Sequence, residues 1–130
     1  ILAQAILSRG ADLNVQTVRG MTVLMFTARE GTFETAHMLL DAGAEVDAQD
    51  EDGWTALMFA CYSGQPHVVQ LLLDSGASLD LCDKDGCTAL MLACSVDEAQ
   101  AVNLLLSNGA GINLQDHEGY TALMKVCAIP

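Results

Sequence analysis

The chain has 130 residues, 52% of them hydrophobic and only 5% aromatic, enough for one ordinary domain with an aliphatic, small-residue core. Seventeen acids face five bases, a formal net charge of −12. That balance argues against nucleic acid, whose phosphates need Lys and Arg, and disfavours an anionic membrane surface for the same reason. It either draws in a basic protein segment by long-range attraction or simply keeps a hydrophobic chain soluble.

In chain order, the start ILAQAILSRG reads as the inside of a helix that stops at Gly10. It has no basic leader and no cleavage site, so it is not read as a signal peptide. From residue 20 one phrase recurs at a step of 33: GMTVLMFTAREG from Gly20, GWTALMFACYSG from Gly53, GCTALMLACSVD from Gly86 and GYTALMKVC from Gly119. Thr22, Thr55, Thr88 and Thr121 keep the same step. So do Leu24, Leu57, Leu90 and Leu123, and the Gly-Ala pairs that begin at Gly10, Gly43, Gly76 and Gly109. Four sets on one period, with no insertion, mean a repeat array.

Inside one unit, Thr55 precedes ALMFACYS and can cap a helix with its hydroxyl. Gly64 supplies a left-handed stop, and Pro66 opens a second helix where its missing N–H costs nothing. Val68, Val69, Leu71, Leu72 and Leu73 make that second helix apolar on most sides, and Gly76 ends it. The run ASLDLCDKDG then forms an extended arm with a tight turn. Two short helices cannot bury their own apolar faces, so successive units must stack. The predicted architecture is an all-α repeat solenoid of helix-loop-helix units with short β-hairpin-like arms. It comprises one domain over 1–130: a partial unit at 1–17, full units at 18–50, 51–83 and 84–116, and a partial unit at 117–130. No polar cap closes either end, which suggests a fragment of a longer protein or ends that self-associate.

These residues resemble the ankyrin repeat: the 33-residue unit, G-x-T-x-L at each start, Gly-Ala at each second-helix end, and an arm Asp or Asn at Asn14, Asp47, Asp80 and Asn113. The resemblance covers the whole chain. Two departures stand out. The family writes T-P-L-H where this chain has TVLM or TALM, so Met25, Met58, Met91 and Met124 replace a His that ties neighbouring loops together. A looser loop network is the expectation, since a thioether offers only dispersion and shape. Asp97 stands where Gly31 and Gly64 stand in the sister units, and is expected either to take the left-handed conformation or to cap the next helix. The loop Ser95–Glu98 is expected to differ from its equivalents.

Chemistry is sparse. His37, His67 and His117 do not pair with His or Cys at metal-ligand spacing. No phosphate loop or nucleophile elbow occurs. The reading is therefore no catalytic residue, no cofactor, no metal and no enzyme. Cys61, Cys94 and Cys127 share one repeat position and are expected to be buried thiols, while Cys82 and Cys87 lie near one arm tip as plain or redox-reactive thiols. Five cysteines, an odd number at no disulfide spacing, indicate a reducing compartment, cytoplasmic or nuclear. No segment approaches the length of a membrane span. Asp50, Asp83 and Asp116 precede the turns in register. Part of this carboxylate ladder serves the turns, and the surplus acids are free to face a partner.

The resemblance implies a protein-interaction module whose target lies along the concave side of arm tips and first helices. Carried over residue by residue, the exposed positions are Val18, Arg19, Met21, Arg29 and Glu30; then Glu51, Asp52, Trp54, Tyr62 and Ser63; then Lys84, Asp85, Cys87, Ser95 and Val96; and finally His117, Glu118 and Tyr120. Trp54, the only Trp, is expected at an exposed tip. With Tyr62 and Tyr120 among carboxylates it suits a basic peptide with apolar anchors. The alternative is an intramolecular scaffold that regulates an enzyme or channel elsewhere in a larger chain. The resemblance also implies that an arm Asn such as Asn113, with Leu105 eight residues earlier, can be hydroxylated; a structural turn Asn is the plainer reading.

Overall fold

The structure, a computed structural model, describes residues 2–130. Among the described residues there are eight short helices and no sheet: α1 (Leu2–Leu7), α2 (Val23–Glu30), α3 (Phe33–Asp41), α4 (Ala56–Tyr62), α5 (Pro66–Asp74), α6 (Ala89–Ser95), α7 (Ala99–Ser107) and α8 (Ala122–Cys127). α2, α4, α6 and α8 are first helices and pack on one another in sequence; α3, α5 and α7 form a second layer behind them.

Each first helix starts on the same device. The hydroxyls of Thr22, Thr55, Thr88 and Thr121 accept the backbone N–H three residues on, at Met25, Met58, Met91 and Met124. This satisfies one orphan donor of the first turn. Pro66 takes the opening position of α5, as its fixed φ favours. Asp97 adopts φ +59, the conformation that Gly31 and Gly64 hold in the sister loops. It does not cap α7, whose N-cap residue is Glu98 and makes no side-chain bond. The loop keeps the pattern of its equivalent at Gly64. Asp97 and Glu98 donate to Cys94 and Ala93, as Gly64 and Gln65 donate to Cys61 and Ala60. Asp is tolerated here because its short polar side chain visits the left-handed region at modest cost.

The core is a ladder of equivalent positions. Leu24, Leu57 and Leu90 are 1–2% exposed, Met25, Met58 and Met91 no more than 1%, and Leu39, Leu72 and Leu105 no more than 2%. A buried Leu or Met side chain contributes about 1.5–3 kcal/mol relative to exposure, and no unit could obtain that burial alone.

The arms are tied from one unit to the next. The backbone N–H groups of Glu51, Lys84 and His117 donate to the carbonyls of Arg19, Asp52 and Asp85, each at 2.9 Å. Gln16 and Gln49 add bonds from their side-chain amides to the carbonyls of Gln49 and Cys82. Asn14, Asp47 and Asp80 accept the N–H of Glu45, Ser78 and Gly111 in the following unit. The expected looseness is therefore absent. The ties run through main chain and arm amides, so methionine in place of a polar first-helix residue removes none of them, and Met25, Met58 and Met91 serve as core filler. Gly53 shows how close the arms lie: at φ +82, a Cβ there would stand 2.9 Å from the Cα of Asp83. Among the described residues one bridge of β type forms within an arm, Cys82 to Thr88, so the hairpin character is slight.

Candidate functional site

The turn carboxylates are built into the arms. Oδ1 of Asp50 accepts the N–H groups of Asp52 and Trp54, that of Asp83 those of Asp85 and Cys87, and that of Asp116 those of Glu118 and Tyr120, all at 2.9 Å. Asp is the natural choice, because its side chain reaches the backbone two residues on. Asp83 and Asp116 are only 7–8% exposed. In each case the second oxygen is left over from the turn.

Two of these turns place the residue after the repeat Gly beside a first helix: Trp54 against Phe59 and Tyr120 against Lys125. Trp54 is half-buried, not exposed as the sequence led us to expect. Its ring lies 5.0 Å from Phe59 and 5.2 Å from Tyr62, the latter edge-on. Such pairings suit the ring quadrupoles. Tyr62 remains 47% exposed. Next to the rings a cleft of about 360 Å³ is lined by Asp50, Asp52, Trp54, Phe59, Asp83, Lys84 and Asp85. Four carboxylates and one ammonium border it. The Lys84 ammonium meets Asp52 Oδ1 at 2.5 Å, and that hydrogen bond and charge raise the Lys84 pKa.

The other predicted positions lie outside the cleft lining, with Glu51 and Cys87 next to it. Arg19 and Glu51 approach to 4.0 Å. Arg29 lies 5.2 Å over the Phe26 ring and bonds Glu30, and Met21 packs partly into the core. At the other end, Tyr120 sits under the Lys125 ammonium at 5.0 Å, and that ammonium bonds Asp116 Oδ2 at 2.6 Å. The hydrogen bond from Lys125, followed by the backbone N–H of Tyr120, holds the Asp116 carboxyl below its usual value. Glu118 and His117 are exposed next to it, as is Asn113 in the arm before.

All five cysteines are free. Cys61 is buried and its pKa is pushed up to about 12, and burial raises Cys94 as well. Cys127, expected to be buried with them, is exposed: among the described residues α8 packs on α6 and no later helix covers its other side. Burial and then Asp83 raise the Cys87 thiol, the opposite of what a reactive thiolate requires. Among the described residues, no group of three or more His, Cys, Asp or Glu side chains is placed to hold a metal ion.

The family model described as "Ankyrin repeats (3 copies)" matches residues 2–83 and 68–128. The chain belongs to the ankyrin-repeat family. Ankyrin repeats are generally protein–protein interaction modules. No curated protein matches the chain significantly. Among the described residues, no helix of this ankyrin stack is long and apolar enough to cross a membrane.

Of the predicted positions, the ankyrin stack gathers Asp52, Trp54, Tyr62, Lys84 and Asp85 into one cluster. Sequence reasoning passed over Phe59 and Lys125, and it singled out Asp50 and Asp83 as turn residues without counting them at the site. Phe59 was hidden inside an apolar helix run, although its register with Phe26 and Lys125, at steps of 33, marks a position whose residue type changes freely. Asp50 and Asp83 were absorbed into the turns, although a turn uses only one of the two oxygens.

Proposed function

We propose that this ankyrin stack is a non-enzymatic module that binds a basic protein segment along the face made by its arm tips and first helices. The observation that carries the reading is the Trp54–Phe59–Tyr62 cluster standing beside four carboxylates. Rings of this kind anchor interfaces, and acids around them steer a basic partner and suppress acidic ones. The five free cysteines favour a reducing, cytoplasmic or nuclear setting.

The test is affinity capture with the native module and with a Trp54→Ala, Tyr62→Ala double variant, at low and at physiological salt. The expected result is a partner that the variant loses and that salt weakens, with little change in the variant's melting temperature. A partner retained by the variant moves the site to another face. Failure to capture any partner in trans favours an intramolecular target, another part of a larger enzyme or channel.

A further inference from the structure

The stack contains two versions of one local arrangement, two repeat steps apart. At the junction with the last half-unit, turn residue Asp116, tip residue Tyr120 and first-helix residue Lys125 form a closed set: the ammonium lies over the ring and on Asp116 Oδ2. The equivalent residues two steps earlier are Asp50, which ends the unit at 18–50, and Trp54 and Phe59 of the unit at 51–83. The turn is the same, with Oδ1 of Asp50 taken by two backbone N–H groups at 2.9 Å. The tip is again aromatic. Only the cation is replaced, by a second ring.

The carboxylates meanwhile accumulate. Among the described residues, Oδ2 of Asp50, Oδ2 of Asp83 and both oxygens of Asp85 receive no donor, and Lys84 is engaged by Asp52. Asp83 is more than nine-tenths buried as a residue, and its unpaired Oδ2 is the part left open to the cleft. The result is a cleft with two ring walls and an excess of negative charge, in the place where the last half-unit supplies its own ammonium.

We infer that the cleft between Trp54, Phe59 and the carboxylates of Asp50, Asp83 and Asp85 is a receptor for a lysine side chain of the bound partner. This inference rests on the protein-binding reading above and names the chemistry of its central contact. The ammonium fits for three reasons. Lys125 demonstrates the mode with the same turn and tip. A compact point charge with three rotatable donors can be shared among carboxylates from two adjacent arms, whereas a guanidinium asks for a planar two-oxygen fork. Ring faces add attraction to a cation as it loses water. A calcium ion does not fit, since one oxygen each of Asp50 and Asp83 is committed to the turns and the ring walls supply no ligand.

The chain has one Trp, so its single indole N–H resonance reports on the cleft. The test is an NMR titration with the peptide acetyl-Gly-Lys-Gly-amide and with its Nε-acetylated counterpart. The indole resonance is expected to move saturably with the first and not with the second. Asp85→Asn is expected to weaken binding about tenfold through loss of a charge-assisted contact. Asp83→Asn, whose amide oxygen still accepts the turn N–H groups, is expected to act similarly. Lys84→Met is expected to strengthen binding about threefold by releasing Asp52.

Equal responses to the two peptides would overturn the inference. So would an unchanged titration in well-folded Asp83→Asn and Asp85→Asn proteins. If the lysine peptide fails while a captured partner still depends on Trp54 and Tyr62, the lysine receptor falls and the protein-binding surface stands. If the peptide titrates while captured partners ignore Trp54 and Tyr62, the surface reading falls instead.

Discussion

The stretch Thr55–Cys61 reads TALMFAC, and Thr121–Cys127 reads TALMKVC. Both are capped by their Thr in the same way. Yet Leu57, Met58 and Cys61 are at most 1% exposed, whereas Leu123 and Met124 are 71% and 51% exposed and Cys127 is exposed too. Near-identical sequence gives identical local structure and opposite burial. α4 has first helices on both sides and its own second helix behind it; α8 packs on α6 alone among the first helices. Helix formation in this fold is written locally, and the core is supplied by the neighbours.

The sharpest way to test that contrast is to cut the same side chain at both places. Leu57→Ala is expected to cost about 2–5 kcal/mol, for lost transfer energy plus a cavity. Leu123→Ala is expected to stay within about 0.5 kcal/mol. Urea unfolding of the two variants measures both, and equal losses would mean that α8 is covered in solution.

The thiols give the next contrast. Burial lifts the Cys61 pKa from its ordinary 9.0 to about 12. Below pH 9 the thiol is neutral in both states and stability is fully present. Between about 9 and 12 only the unfolded chain ionises, so stability falls by about 1.4 kcal/mol per pH unit. Thermal melts over that window should show the slope, and Cys61→Ala should reduce it, leaving the share of Cys94 and Cys87. A thiol reagent should modify Cys127 in the native protein and spare Cys61 until it unfolds.

The smallest expected effect compares two of the turn carboxylates, Asp116 and Asp50. Lys125→Met removes the hydrogen bond that holds Asp116 low, so this carboxyl should titrate closer to its ordinary value, read from its carbon resonance. A depressed folded pKa adds stability above the ordinary carboxyl pKa, and that stability is lost as pH falls through the folded pKa. The variant should therefore be slightly less stable at neutral pH and equal to the native protein in strong acid. An Asp116 titration that ignores the substitution would remove Lys125 as the template for the cleft at Asp50.

The sequence made much of this legible. The period of 33, the capping Thr, the Pro at the head of α5 and the left-handed loop residues each follow from a local rule, and each rule sees only a few residues. What it concealed depends on contacts between units. Phe59 reads as one more core residue until Trp54 is seen lying on it. The turn acids read as structural until one oxygen is counted as used and the other as left over. Cys127 reads as buried by analogy with Cys61, because register alone does not say whether a neighbour is present. The methionines suggested loose arms, since the amide ties at Gln16 and Gln49 have no counterpart in the motif that drew attention.

The bonds from Glu51, Lys84 and His117 to Arg19, Asp52 and Asp85 have a metrical consequence. They lock each arm tip to the next at the spacing of packed helices, about 8–10 Å. An extended polypeptide advances about 3.3 Å per residue. A strand laid along the tips would therefore meet a new arm at roughly every third residue, and a ligand that presents its lysine to Trp54 would bring its next reading position to the arm at Cys87 three residues later.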